Sequence, residues 1–266
     1  MMSIEYENKV KNYLRMLEKE ARNITATPED WLKFLHTSCN NYKLDFRELV
    51  LVNTTFPNAT ALLQLKDWNN KFGRKVKKNE SGIPSLNFSG RILKLKHYFD
   101  ISQTVETENS KPVPIWKYDK NYENSIVDLL NSKFDLKCQN FETAISGAVN
   151  KLTAINLESN YNYLQSVYKN TPLEKYGLTA KKIYGEMIAK SAMAVICSRC
   201  GYDVTKIFDT EEFQDAIIFD SVKTTFELGR ATFDVAKSIL GFISYTIYKE
   251  IEKEKSYERK EENSQR

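Results

Sequence analysis

The sequence predicts an α+β fold that is mostly helical and carries one small antiparallel sheet. Three observations predict it. Only 9 glycines and 6 prolines occur in 266 residues, too few turn formers for many short strands. Apolar residues recur at helical spacing through most of the chain. One stretch, Arg91 to Asp100, alternates instead. There Leu93, Leu95, His97 and Phe99 fall on one side and Lys94, Lys96 and Tyr98 on the other. That is a strand with one face toward the core and one toward solvent or a ligand.

Each element follows from local chemistry. Tyr6, Val10, Tyr13, Leu14 and Leu17 make a first amphipathic helix, and residues 21 to 26 break its pattern. Thr27-Pro28-Glu29-Asp30 reads as a helix start, with Thr as cap, Pro in the first helical position and acids in the first turn. Trp31, Phe34, Leu35, Cys39 and Tyr42 give that helix its apolar face. A third helix runs from Asp45 to about Thr55 and ends near Pro57. Leu62, Leu63 and Leu65 suit a short strand, and Lys66 to Phe72 a helical turn closed by Gly73. Residues 76 to 101 form the sheet, and residues 103 to 120, with Pro112 and Pro114, form a connection. The helical period then returns. Ile126 to Phe134, Phe141 to Ile155, Thr179 to Arg199 and Phe233 to Ile251 are the expected helices, with Ile155 on an apolar face. From Lys249 to Arg266 six bases alternate with six acids, which suits a solvated helix end or a disordered tail.

Several function classes lack their residues. No run of 18 apolar residues exists, so no membrane helix is expected. The first thirty residues carry no secretory-signal pattern. Four cysteines are too few for a disulfide framework, so a cytoplasmic protein with reduced thiols is expected. The two histidines, His36 and His97, lie in an amphipathic helix and on the apolar side of the strand, where a structural role is expected. H-E-x-x-H, the phosphate-binding G-x-x-x-x-G-K-[ST], G-x-G-x-x-G and G-x-S-x-G are all missing. Cys197 and Cys200 form a C-x-x-C, but Cys39 and Cys138 stand alone, and the pair ends an apolar helical run, where packing is the expected role. Neither an enzyme nor a cofactor is expected.

Charge is unevenly placed. Residues 1 to 120 hold 20 bases and 14 acids, whereas residues 121 to 266 hold 19 and 21. Between Lys71 and Tyr98 the bases Lys71, Arg74, Lys75, Lys77, Lys78, Arg91, Lys94 and Lys96 meet one acid, Glu80. Such a cluster draws in polyanions by phosphate contacts and counterion release. Trp68, Phe72, Phe88, Tyr98 and Phe99 are interleaved with it, a composition suited to single strands whose bases stack on aromatic rings. A plain solvated face also has this look, and Trp68, Phe72 and Phe99 also suit a core.

Residues 57 to 83 read PNATALLQLKDWNNKFGRKVKKNESGI. With Tyr98-Phe99-Asp100-Ile101-Ser102, Lys111-Pro112-Val113-Pro114-Ile115-Trp116, Ser198-Arg199-Cys200-Gly201 and Phe213-Gln214-Asp215, this resembles the N-terminal region of ArdC-type antirestriction proteins. It resembles still more closely the N-terminal region of large helicase/methylase-like proteins of conjugative elements. The resemblance runs from about residue 28 to 250. It implies a single-strand-DNA-binding α+β module at residues 1–116, a helical module at 117–251, a charged tail at 252–266, and residence in a mobile genetic element. Where the family helix carries Asn and Gln, this chain has Glu48, Leu49 and Thr55. Where the family loop has Gly, it has Asn79, which also tolerates a left-handed turn. The protease, methylase and helicase parts of the relatives are missing, and a free-standing product is expected from the Met1-Met2 start and charged tail.

Pattern and resemblance together give Trp68, Arg74, Lys75, Lys77, Lys78, Arg91, Lys94, Lys96 and Tyr98 as the candidate nucleic-acid-binding residues. The lysines would meet phosphates, and Trp68 and Tyr98 would offer stacking surfaces. The expected partner is single-stranded DNA or another nucleic acid. A second expectation is an anti-defence protein, of antirestriction or anti-CRISPR type, that binds a host immune complex. A third is a scaffold assembled through its helical half.

Overall fold

Local signals in the sequence set most element boundaries. The structure, a computed structural model, describes residues 4–88 and 93–264, with side chains as far as residue 258. Helix α1 (Ile4–Asn23) follows the Tyr6 to Leu17 stripe. Helix α2 (Pro28–Ser38) starts as its sequence dictates: the Thr27 hydroxyl accepts the Asp30 N–H at 3.1 Å, and Glu29 and Asp30 sit at the positive helix end. Helix α3 (Phe46–Thr55) is capped by Asp45, whose carboxylate accepts the Arg47 N–H at 3.0 Å. Strand β1 (Leu62–Leu63) leads into α4 (Leu65–Phe72), so Leu65 begins the helix and does not extend the strand. Helix α4 ends on Gly73 at φ +61°, where a Cβ would also stand 2.4 Å from the Asn109 carbonyl oxygen. Both the backbone angle and the close approach require glycine.

Strands β2 (Lys75–Val76), β3 (Ile83–Asn87), β4 (Lys94–Asp100) and β5 (Thr104–Val105) complete the β part. The order β1-β4-β3 forms one antiparallel sheet, and β2 pairs with β5 in a separate antiparallel ribbon. The chain is therefore α+β and mostly helical. The rest is α5 (Glu123–Phe134), α6 (Phe141–Gln165), α7 (Ala180–Arg199), α8 (Val204–Ile207) and the long α9 (Val222–Ser264), joined by 3-10 turns. The charged segment after Lys249 continues α9 as far as Ser264, and residues 252–258 of it are exposed. Ile155, expected on an apolar face, is exposed on α6. Among the described residues no helix is long and apolar enough to cross a membrane.

One buried cluster runs from Leu17 through Trp31, Phe46 and Ile126 to Ile247. It crosses residue 116, because α2 packs on α7 and α3 on α9. Its aromatic centre is Phe46, whose ring lies 5.5 Å from Phe34, 5.8 Å from Phe233 and 6.2 Å from Phe226. The indole of Trp31 joins α2 to α7 by donating to Ser191 Oγ at 2.8 Å. Gly229 of α9 lets the Phe46 ring lie against the helix backbone, since a Cβ there would stand 2.0 Å from Phe46 Cζ. A smaller cluster of Val52, Ala59, Ile83 and Tyr98 joins α3 to the sheet.

The expected two faces of β4 do not hold. His97 is exposed, whereas Tyr98 is buried and Lys96 is largely covered. The reason is Glu48 on α3, a buried carboxylate that turns the Lys96 and Tyr98 side of the strand inward.

The Phe46–Gly229 contact is open to a direct test. Gly229→Ala is expected to destabilise the chain by about 3 kcal/mol through overpacking, measured by urea unfolding. Phe46→Leu in the same chain should recover part of that loss, because the two changes share one volume.

Candidate nucleic-acid interface

The basic segment is built outward from α4. The N–H groups of Gly73 and Arg74 return to Asn69 O at 3.1 Å and Trp68 O at 3.0 Å, which turns the chain sharply into β2. Lys75 lies exposed in β2 opposite Val105. The Lys77 N–H donates to Gln103 O at 2.9 Å, and its ammonium donates to Ser102 O at 2.6 Å. Lys78 is exposed, and Asn79 takes φ +65°, the left-handed turn expected there. Glu80, the one acid of the cluster, accepts from Gln103 Nε2 at 2.8 Å. Lys71, at the end of α4, forms an ion pair with Asp67 at 3.0 Å and is exposed. Arg74 and Lys75 border an open cleft of about 530 Å³ with Asn69, Thr107 and Asn109.

Two buried carboxylates hold this surface in place. Asp100 is 1 % exposed, and its oxygens accept the N–H groups of Thr60 at 2.6 Å, Ala61 at 2.9 Å and Ser102 at 3.0 Å. It fastens the Pro57–Thr60 segment to the end of β4, joining two of the motifs quoted above. Glu48 is 8 % exposed and gathers Ser85 Oγ at 3.0 Å, the Tyr98 hydroxyl at 3.4 Å and the Lys96 ammonium. Ser85 stands opposite Lys96 in the β3–β4 register, so both strands contribute to one node.

The chain matches no protein-family model, no curated protein and no solved structure. The interface therefore rests on the geometry of its side chains.

That geometry divides the candidate residues. Trp68 is 0 % exposed and donates its indole N–H to Phe99 O at 2.8 Å, so it offers no stacking surface. Tyr98 is buried on Glu48 and offers none either. Arg74 is buried and committed, donating to Thr104 Oγ1 at 2.8 Å and Glu106 Oε1 at 2.6 Å. Lys96 is committed to Glu48. These four are structural because each has a polar partner inside the fold. Lys75, Lys77 and Lys78 are brought together on the β2 turn. Lys94 is exposed but begins β4, about 20 Å along the strand from Asp100. Arg91 lies outside the described residues. Phe88 lies under the Arg47 guanidinium at 4.1 Å. Among the described residues the exposed apolar neighbours of Lys75 are aliphatic, Leu65 and Val105. The sequence signal for Glu48 and Asp100 was weak: Glu48 lies between Arg47 and Leu49 and Asp100 between Phe99 and Ile101, and nothing local distinguishes either acid from a surface one.

The Glu48 node has a signed pH dependence. Burial pulls the Lys96 ammonium down, but Glu48 and Tyr98 more than reverse this and leave it above its ordinary 10.5. Burial, with the Glu48 charge, raises the Tyr98 hydroxyl above its ordinary 10.0. Both groups hold protons more tightly when folded. Their stabilisation is therefore complete below about pH 10 and is lost as pH rises through the folded-state values. Glu48→Gln is expected to flatten that alkaline decline in a series of urea midpoints. Glu48→Ala should cost about 2–3 kcal/mol at neutral pH, because Lys96, Ser85 and Tyr98 lose their acceptor.

Proposed function

We propose that the chain is a non-enzymatic nucleic-acid-binding protein whose exposed Lys71, Lys75, Lys77 and Lys78 engage backbone phosphates. One observation carries the reading: three exposed cations within four residues, Lys75, Lys77 and Lys78, lie on a turn that the Gln103–Glu80 and Lys77–Ser102 hydrogen bonds fix in shape. A turn already fixed in shape loses little backbone freedom on meeting a polyanion, and its cations release the polyanion's counterions. With Trp68 and Tyr98 inside the fold, the contact is to phosphate and has little base stacking. The resemblance to ArdC-type and conjugative-element proteins supports single-stranded DNA as the ligand, with a mobile genetic element and the cytoplasm as the setting.

The second reading, an anti-defence protein that captures a host immune complex, draws on the same resemblance. The absence of exposed aromatics beside the lysines, among the described residues, favours it, because a rigid lysine surface without stacking rings also suits an acidic protein surface. A complex that survives nuclease treatment would mark this reading.

Fluorescence anisotropy with an unstructured single-stranded oligonucleotide tests the first. Binding should weaken steeply with salt. Replacing Lys75, Lys77 and Lys78 together by Glu should lower affinity at least tenfold and reduce the log–log salt slope by about 2. Unchanged affinity and slope in that variant would refute the assignment.

A further inference from the structure

The helical half encloses a cavity that shares no residue with the lysine turn. Helix α7 stops at Gly201, whose φ of +85° turns the chain back while the Tyr202 N–H donates to Cys197 O at 3.0 Å. The segment from Tyr202 to Glu212, the last turns of α7 and the first turns of α6 then border a space of about 650 Å³. Its walls are apolar: Phe141, Ile145, Met193, Ile196 and Phe208. Native interiors leave few voids larger than a water molecule. A space of this size, with apolar walls and a few polar groups, has the build of a small-molecule site.

The charges on its border all have one sign. Glu123, Glu142 and Glu212 line it, and no Lys, Arg or His does. None of the three forms an ion pair with a cation among the described residues. Lys190 reaches the Glu212 carbonyl oxygen, at 3.3 Å, and not its carboxylate. Glu142 is exposed, yet its charge is felt at the Cys197 thiol on the α7 wall, which burial and then Glu142 push up to about 11. Glu123 adjoins the same end, since the Tyr118 hydroxyl donates to it and the Tyr118 ring lies 5.0 Å from Phe141. The acids are not grouped for a metal ion among the described residues. Helix ends account for Glu142, in the first turn of α6, and for Glu212, in the Asp209 capping box. They do not account for an apolar space between these acids with no cation on its border.

We propose that this cavity binds a small organic cation with an apolar body, the body against Phe141, Ile145, Met193 and Phe208 and the ammonium at the end that carries Glu123 and Glu142. Burial of the body supplies most of the affinity. The carboxylates are partly solvated, so their share is modest, and it serves selection by charge. An anion with the same body would meet three carboxylates. The aromatic rings of Phe141, Tyr202 and Phe208 on the border add faces that attract an ammonium. The site stands or falls separately from the nucleic-acid reading.

Isothermal titration of the full chain with phenylpropylamine, phenylpropanol and phenylpropanoate tests the proposal, because the three share one body and differ in charge. Saturable one-to-one binding of the amine is expected, with the alcohol about fivefold weaker and the carboxylate weaker still. Glu142→Gln should bring the amine down to about the affinity of the alcohol and leave the alcohol unchanged. Met193→Trp, which fills the space, should weaken amine and alcohol alike by about tenfold. Should that variant fail to fold by circular dichroism, Glu142→Gln, an exposed position, decides the matter. The variant with Glu at positions 75, 77 and 78 should bind the amine like the parent. No saturable heat with the amine up to about 10 mM, an amine no tighter than the alcohol, or unchanged selectivity in Glu142→Gln would overturn the proposal.

Discussion

The seating of the Phe46 ring on the bare backbone of Gly229 is the contact on which the rest of the structure depends. It brings α3 against α9 at a distance that any side chain at 229 would prevent. Phe34, Phe226 and Phe233 then close around the ring. Two residues further along α3, Glu48 turns toward the sheet and collects Ser85, Lys96 and Tyr98. A single short helix therefore ties the helical core to the β-sheet, with an aromatic ring toward one and a carboxylate toward the other. The lysine-bearing turn is positioned at the end of that chain of contacts, through β4, Asp100 and Gln103.

The polar groups of the front part thus fall into two sets. Glu48, Asp100, Arg74 and Lys96 are interior groups with partners, whose removal would strand the opposite member. Lys75, Lys77 and Lys78 are surface groups, and of these the Lys77 ammonium also donates to Ser102 O. Rigidity in the first set serves the second by holding the backbone of the turn that carries these lysines.

How much of this was legible in the sequence depended on how local the signal was. The Thr27-Pro28 start and the Gly73 stop act within one helical turn and stand where the sequence put them, and the helix expected from Asp45 begins one residue later with Asp45 as its cap. The helical periods from residue 126 onward were equally readable, apart from the exposed Ile155. The facing of β4 was not readable. Alternation assigns polar residues to water, whereas Glu48, distant in sequence, supplies an interior partner for Lys96 and Tyr98. The same non-local partners removed Trp68 and Arg74 from the candidate surface, through Phe99 and Glu106. A count of bases cannot distinguish a lysine facing solvent from one facing a buried carboxylate. The stacking of Arg199 on Trp116 was likewise invisible, because it is created only when the 111–116 segment and α7 pack together.

The central claim is that exposure, and not basic composition, selects the residues that meet a polyanion. Lysine-acetylation footprinting by mass spectrometry, with and without single-stranded oligonucleotide, tests it most directly. The account predicts protection at Lys71, Lys75, Lys77 and Lys78, with Lys253 and Lys255 on the distal part of α9 unchanged. Protection confined to the α9 lysines, or spread evenly over the chain, would contradict it.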